Sequence, residues 1–354
     1  MARRNPHRVP DGRLGIAVIV AFCCLVSGVG VSVYYREHGW SLHTSSQAVA
    51  DEASTAPDGA VGADLSYSRL ANPARTLVRN GRGQPVATFT DGARTVRLTG
   101  PARTFAEPRF TRVTVQTDAW IRLAPKEWQE GAERSAWFTR WLSQALADRS
   151  PDVLAVATEY LDGVPAQKDA KGVRYAGDAQ FGPESSSDPD GRDENSDFYE
   201  YLGVPWTFTD GPPGTPRPDR YGAVDCSGYL RLVYGYRMGI PLRNTNNPGP
   251  GLPRRAYAIA GMGPGVVVLA NRGVPARDYG ALQPGDLVFF DLDPLDGTQV
   301  DHSGIYLGVD DAGHHRFLSS RTKANGPTFG DYTFPAVLDG GGHFSAKFRT
   351  ARRL

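Results

Sequence analysis

The sequence predicts an α+β fold in which a small β-rich module precedes a larger domain of helices followed by strands. Short β-like runs alternate with turns between residues 66 and 124, and helical periodicity follows at 136–147 and 151–161. Strand patterns return after residue 286. With 354 residues, of which 40% are hydrophobic, the chain is long enough to bury one or two cores.

The charge balance excludes one class of partner. The formal net charge is +1, so the chain has no overall field that favours nucleic acid or an anionic surface. We therefore expect no nucleic-acid partner.

The N-terminal segment reads as a membrane anchor. An apolar run covers residues 14–35, which is long enough to span a bilayer as a helix. The basic tail at residues 1–13 should stay in the cytoplasm, which leaves the C-terminal bulk outside a single-pass cell-membrane protein. The alternative is a secreted protein cut after Ala48-Val49-Ala50, but the apolar run is long for a signal peptide.

Residues 36–65 are rich in Ser, Ala, Thr, Asp and Gly and predict a flexible stalk. The β-rich module is assigned to 66–134, with a hairpin whose strands at 76–79 and 85–90 flank a glycine-containing turn. The module contains no cluster of residues typical of a catalytic site. We therefore interpret it as a spacer or a packing partner of the domain at 135–354, rather than as a binding module.

Two further segments precede Cys226 in the chain. The helix at 151–161 should begin with Ser150 as N-cap and Pro151 in the first turn. The acidic segment 178–197 predicts a solvated loop. Its aspartates lack the glycine spacing of a calcium loop, so no metal and no cofactor are predicted.

Cys226 is the most informative residue of the larger domain. Cys23 and Cys24 lie in the apolar run, so Cys226 is the only thiol expected outside the membrane, and it has no disulfide partner. A buried structural cysteine is the alternative. Against it, Asp225 and Ser227 are cap and turn residues, which predicts a helix over 226–238 with Cys226 in its first turn. At that position the helix dipole should lower the thiol pKa and give a reactive thiolate.

His302 follows about seventy-five residues later and opens a predicted strand that runs to residue 307. A second strand at 316–320 should form a hairpin with it and place His302 on one face with Ser319 and Arg321. A satisfied surface histidine is the alternative. A cysteine on a helix followed by a histidine on a strand is the order in which papain-like hydrolases carry their nucleophile and base.

Three segments in this order resemble the NlpC/P60 family of papain-like cell-wall endopeptidases. They are Asp225-Cys226-Ser227-Gly228, the run from Leu282 to Phe290, and the run from His302 to Gly308. The resemblance covers roughly residues 151–354, and the anchor, stalk and β-rich module lie outside it.

The resemblance implies an antiparallel sheet with the nucleophile at a helix N-terminus, and hydrolysis of the stem peptides of peptidoglycan, usually between D-glutamate and diaminopimelate. It implies Cys226 as nucleophile, with its own backbone amide in the oxyanion hole, and His302 as general base. Asp225 and Ser227 match positions at which relatives hold the amino end of the stem peptide.

The sequence departs from the family at two positions. Ser319 stands where relatives carry His, Asn or Gln as the third catalytic residue, and Trp206 stands where they often carry a substrate-binding tyrosine. Two other functions therefore remain open. One is a catalytically weak murein-binding or scaffold protein of the cell wall, and the other is an amidase or acyltransferase on the same fold.

Overall fold

The computed structural model describes residues 64–186 and 191–354. The predicted basic tail at 1–13, the anchor at 14–35 and all but the end of the stalk at 36–65 lie outside the described residues. Among the helices that are described, none is both long and apolar enough to cross a bilayer.

The first part of the described chain is an antiparallel meander of five strands in sequential order. The predicted hairpin is confirmed, since strands Arg75–Arg79 and Pro85–Thr90 pair on either side of a turn. In that turn, Asn80 Oδ1 accepts hydrogen bonds from the amides of Arg82 and Gln84. The strands are β1 (Ser66–Leu70), β2 (Arg75–Arg79), β3 (Pro85–Thr90), β4 (Thr95–Ala106) and β5 (Thr114–Leu123).

The helix predicted over 136–147 is confirmed as α1 (Phe138–Ala147). Its buried residues cover the apolar core of the meander. Its Phe138 ring lies 5.5 Å from Phe89 of β3 and 5.4 Å from Trp128. The sequence places this helix in the domain at 135–354, and the structure shows that its apolar face packs on the β-rich module.

Helix α2 (Val153–Thr158) starts two residues later than expected. Asp152, and not Ser150, is the N-cap: its carboxylate accepts a hydrogen bond from the amide of Ala155 at 3.0 Å. The same carboxylate accepts from Ile121 N and from Arg103, each at 2.6 Å. A charged cap that also pairs with a strand of the module outweighs the local preference for Ser150.

The strands and helices of the next part are β6 (Gln167–Lys168), β7 (Arg174–Ala176), α3 (Phe198–Leu202), α4 (Cys226–Leu230), a π-helix (Arg231–Arg237), α5 (Ala256–Met262), β8 (Val266–Leu269), β9 (Leu287–Phe290), β10 (His302–Val309), β11 (His315–Arg321), β12 (Gly326–Thr328) and β13 (Phe348–Arg353). Six of these strands form the second sheet, which is antiparallel with the order β12-β11-β10-β9-β13-β8. The predicted β10–β11 hairpin is confirmed, and so is the α+β class. The helix predicted over 226–238 is α-helical only to Leu230, after which it widens to a π-helix.

One core joins the module to the helix that carries Cys226. Val115 and Ile121 of β5 share a buried apolar cluster with Tyr229 and Leu230 of α4 and with Leu287 of β9. The meander is therefore packed directly against the elements that position the candidate site.

A buried ion pair ties the second sheet to the module. Arg353 on β13 donates to both carboxylate oxygens of Asp286 at 2.7 Å, and both side chains are fully buried. A further guanidinium nitrogen of Arg353 donates to Thr90 Oγ1 on β3 at 2.7 Å.

We predict that Asp286→Ala destabilises the protein by about 3–5 kcal/mol, because the charge of Arg353 is left buried with only the neutral acceptors Thr90 Oγ1 and the Ala281 carbonyl. Urea or thermal unfolding measures the change. Asp219→Ala is the matched control, since the Arg217–Asp219 pair is largely exposed and its loss should cost at most about 1 kcal/mol. Equal losses of stability in the two variants would contradict this account of the buried pair.

Candidate active site

Asp225 fixes the start of the short helix α4. Its carboxylate accepts hydrogen bonds from Gly228 N at 2.7 Å, Ser227 Oγ at 3.1 Å and Asn195 N at 3.0 Å. Arg254 donates to both carboxylate oxygens, at 2.5 and 3.3 Å. Burial alone would raise the pKa of Asp225, but Arg254 and these hydrogen bonds outweigh burial and hold the pKa below its ordinary value.

Arg254 also donates to Ser227 Oγ at 2.7 Å. The two side chains that the resemblance assigns to the amino end of the substrate are therefore engaged by an arginine of the same chain. Both Asp225 and Ser227 still line the cleft described next.

Cys226 and His302 lie on the wall of one cleft of about 720 Å³. Cys226 is 9% exposed, and its Sγ points toward the backbone carbonyl of Asp301 at 3.7 Å, the residue directly before His302. The structure thus brings together the two residues that the sequence predicts as nucleophile and base.

The electrostatics of the thiol differ from the sequence-based expectation. Burial, together with the negative charges of Asp225 and Glu194, raises the pKa of Cys226 to about 12. The helix that begins at Cys226 continues through α4 and the π-helix to Arg237, and the positive end of its dipole acts in the opposite direction by favouring the thiolate. Desolvation and the nearby carboxylates therefore outweigh the helix terminus, and the expected thiolate is a neutral thiol in this structure.

His302 is neutral as well. Burial lowers its pKa to about 3, and the positive charges of Arg321 and His343 act in the same direction. The side chain is 8% exposed, which excludes the alternative of a surface histidine. Its ring lies 5.8 Å from Phe290 and 5.9 Å from Phe344, so aromatic rings fix its position.

The predicted third catalytic residue does not hold the imidazole. Ser319 lies on β11 with its side chain fully buried, and it does not line the cleft. Within the described residues, neither Ser319 Oγ nor His302 Nε2 has a hydrogen-bond partner. The β10–β11 pairing that aligns Ile305 with Leu318 places Ser319 opposite Gly304 rather than opposite His302. Ser319 therefore shares a face with His302 without reaching it.

Trp206 also lies elsewhere. Its ring packs at 5.0 Å from Phe198 of α3 and at 6.0 Å from Tyr236 of the π-helix. Trp206 is absent from the lining of the cleft. The structure thus gives it a packing contact and not the substrate contact that we expected.

The structure adds contacts for Arg321, which was expected on the face of His302, and further residues that the sequence did not single out. Arg321 is buried beside the cleft, with its guanidinium 5.4 Å from the Phe344 ring. Tyr332, Thr333 and Phe334 also line the cleft, and we call residues 328–334 the wall segment. Thr333 has a φ of 62°, a conformation that costs a β-branched residue about 1–3 kcal/mol. No sequence signal marks this strain.

Three carboxylates stand in the loop that precedes His302. Ligand atoms of Asp291, Asp296 and Asp301 lie within 4.8 Å of one another. Asp301 accepts hydrogen bonds from Leu292 N at 3.0 Å, and Asp291 pairs with Arg349 at 3.1 Å. These two carboxylates thus have protein partners that hold the loop in place.

We predict that Cys226 in the ligand-free protein is alkylated by iodoacetamide with an apparent pKa above the ordinary value of about 8.5, because its thiol is buried beside two carboxylates. Mass spectrometry of the peptide that contains Cys226 separates it from Cys23 and Cys24. Glu194→Gln should lower the apparent pKa, since it removes a negative charge near the thiol. The exposed Glu184, which does not line the cleft, provides the control Glu184→Gln. Half-maximal alkylation below pH 8 would show that the helix terminus prevails after all.

A comparison with known protein families matches the part of the chain that carries Cys226 and His302. Residues 208–333 match the model of the NlpC/P60 family, a stretch that contains α4, β9 and the β10–β11 hairpin. No curated protein matches the chain.

Among solved structures, a protein of the NLP/P60 family from Staphylococcus aureus, described as similar to a lipoprotein, is 19% identical. The alignment covers 64% of this chain and 54% of that chain, with a TM-score of 0.26. NlpC1 and NlpC2 from Trichomonas vaginalis are each 13% identical over 82% of this chain, and the alignments cover 89% and 92% of theirs with TM-scores of 0.28 and 0.27. Likeness of this degree says nothing about activity.

The family match spans both the helix of Cys226 and the strand of His302. NlpC/P60 proteins are generally cell-wall peptidases and typically cysteine hydrolases. Over residues 208–333, this chain is therefore similar to the NlpC/P60 family.

Proposed function

We propose that the protein is a cysteine endopeptidase that hydrolyses the stem peptides of peptidoglycan, at a bond of the D-glutamyl-diaminopimelate type, during cell-wall remodelling. The observation that carries this proposal is the placement of Cys226 and His302 on one cleft, with the thiol directed at the residue before the histidine. Cys226 acts as the nucleophile and His302 as the general base.

The reaction begins with a neutral pair. As Cys226 Sγ forms a bond to the carbonyl carbon of the scissile amide, its proton passes to the His302 imidazole. The Cys226 backbone amide, in the first turn of α4, stabilises the negative charge on the carbonyl oxygen. The imidazolium then protonates the leaving amine as the C–N bond breaks, which leaves a thioester on Cys226.

Water completes the cycle. His302, neutral again, accepts a proton from a water molecule that attacks the thioester carbonyl. The carbon–sulfur bond breaks, the thiol is restored with the proton from His302, and the product is released as a carboxylic acid that loses its own proton to solvent. A base with a lowered pKa is a weak proton acceptor, so we expect proton transfer to be coupled to the attack rather than to precede it.

The charges along the cleft support a zwitterionic substrate. Glu194 and Asp293 provide negative charge at the cleft, whereas Arg255 and Arg321 provide positive charge. A stem peptide with diaminopimelate carries both carboxylates and an ammonium group. Such a peptide can therefore find a partner of opposite sign at more than one position.

One observation favours the second candidate, a catalytically weak murein-binding or scaffold protein. His302 Nε2 is buried without a partner in the described structure, so no side chain fixes the tautomer of the base. The third candidate, an amidase or acyltransferase, would use the same two residues. Mass analysis of the fragments separates the three, because binding without cleavage releases none and an amidase cuts between glycan and peptide.

We predict that purified protein releases stem-peptide fragments from purified murein and that His302→Ala lowers the rate by about 100-fold or more, as expected for loss of a general base. Cys226→Ala should abolish release. Ser319→Ala should lower the rate by less than about tenfold, because its hydroxyl makes no hydrogen bond to the imidazole. Melting curves control for folding. An inactive Ser319→Ala with an unchanged melting curve would restore Ser319 as the third catalytic residue.

We also propose that residues 14–35 hold the protein at the outer face of the cytoplasmic membrane. An extended stalk of thirty residues (36–65) reaches at most roughly 100–110 Å, which would confine cleavage to murein near the membrane. Cell fractionation should recover the protein with the membranes. Recovery of most of it from the culture medium with an N-terminus at Asp51 would instead establish cleavage after Ala50.

A further inference from the structure

We propose that Glu107 of the β-rich module is a positioning residue for the substrate cleft, because it anchors the wall segment (328–334) from behind. The role of Glu107 in substrate binding rests on the proposed function, whereas its anchoring of the wall segment rests on contacts alone. This positioning role of Glu107 would give the β-rich module a part in substrate binding rather than the role of a spacer.

Glu107 directly follows β4 and is almost completely buried. One carboxylate oxygen accepts hydrogen bonds from Thr328 Oγ1 at 2.9 Å and from Phe329 N at 2.8 Å. Thr328 Oγ1 in turn accepts from Gly330 N at 2.9 Å. A single carboxylate from the module thus fixes the first three residues of the wall segment.

Neighbouring residues of the β4–β5 connection hold the next part of the segment. Asp331 N donates to the carbonyl of Phe110 at 2.9 Å, and Thr111 Oγ1 donates to the Asp331 carboxylate at 2.5 Å. The rings of Phe110 and Tyr332 lie 5.4 Å apart. A Cβ on Gly330 would lie 2.4 Å from Phe110 Cβ, so only glycine permits the module to approach this closely.

The second sheet, which carries His302, also holds the wall segment. Arg321 donates to the carbonyl of Gly330 at 3.0 Å and to that of Phe334 at 2.8 Å. Glu107 attracts the buried guanidinium of Arg321, and each lowers the cost of burying the other. The segment is therefore clamped between an acid of the module and a base of the β10–β11 hairpin.

The part that faces the cleft needs such a clamp. Thr333 adopts a left-handed conformation at φ 62°, which a β-branched residue does not hold without support from its surroundings. Its neighbours Tyr332 and Phe334 are 48% and 42% exposed and line the cleft. If the anchor is lost, these two aromatic side chains should no longer be held in one place for an incoming peptide.

The kinetic test uses Glu107→Ala on muropeptides released from purified peptidoglycan. We expect KM to rise about fivefold or more while kcat changes by less than about twofold, since Cys226 and His302 are untouched. Glu107→Gln should restore KM, because the amide oxygen can accept the hydrogen bonds of Thr328 and Phe329. Asp118→Asn is the matched control: this module carboxylate pairs with Arg97 at 2.6 Å on a partly exposed surface, and KM should not change.

The structural test is hydrogen exchange at the amides of residues 329–334, read by mass spectrometry. Glu107→Ala should accelerate exchange there but not in β2 or β3. Thr111→Val, which removes the bond to Asp331, should do the same if Glu107→Ala fails to fold. Accelerated exchange in a protein that cleaves no muropeptide would support the positioning role and refute the proposed function. Unchanged exchange would overturn the positioning role, and accelerated exchange with an unchanged KM would overturn its link to substrate.

Discussion

The carboxylate of Asp225 connects most of what surrounds the candidate site. It caps α4 through Gly228, binds the Asn195 amide and pairs with Arg254. Arg254 also lies 3.5 Å from Asp197, whose carboxylate caps α3 and pairs with the fully buried Arg231 of the π-helix. Two acids and two arginines thus fix the start of the helix that presents Cys226. Removing either partner of such a buried pair costs several kcal/mol, whereas the intact network contributes mainly a defined geometry.

This network and the shared apolar core explain why the site cannot be assigned to one segment of the chain. The thiol comes from α4, the imidazole from β10, and one wall from a stretch that the module supports. Leu230 of α4 and Ile121 of β5 belong to one buried cluster. A substitution in the meander can therefore change the geometry of the cleft through packing contacts alone.

The sequence predicted the elements that local patterns determine. The α+β class, the β2–β3 and β10–β11 hairpins and the meeting of Cys226 with His302 follow from periodicity, turn residues and the order of motifs. It did not predict the raised pKa of Cys226, because desolvation and the proximity of Glu194 depend on tertiary packing. The expected contact of Ser319 with the imidazole and that of Trp206 with the cleft are not formed in the described structure, for the same reason. A motif match gives the strand or loop of a residue, but register and packing decide what its side chain contacts.

The neutral state of Cys226 has a consequence for its chemical survival. Oxidation to sulfenic acid and exchange with disulfides both proceed through the thiolate. A thiol that is 9% exposed and carries a raised pKa presents little thiolate to oxidants. In the proposed location outside the cytoplasm, no cytosolic reductant would restore an oxidised thiol. The burial that makes Cys226 a slow nucleophile therefore also protects it from oxidation.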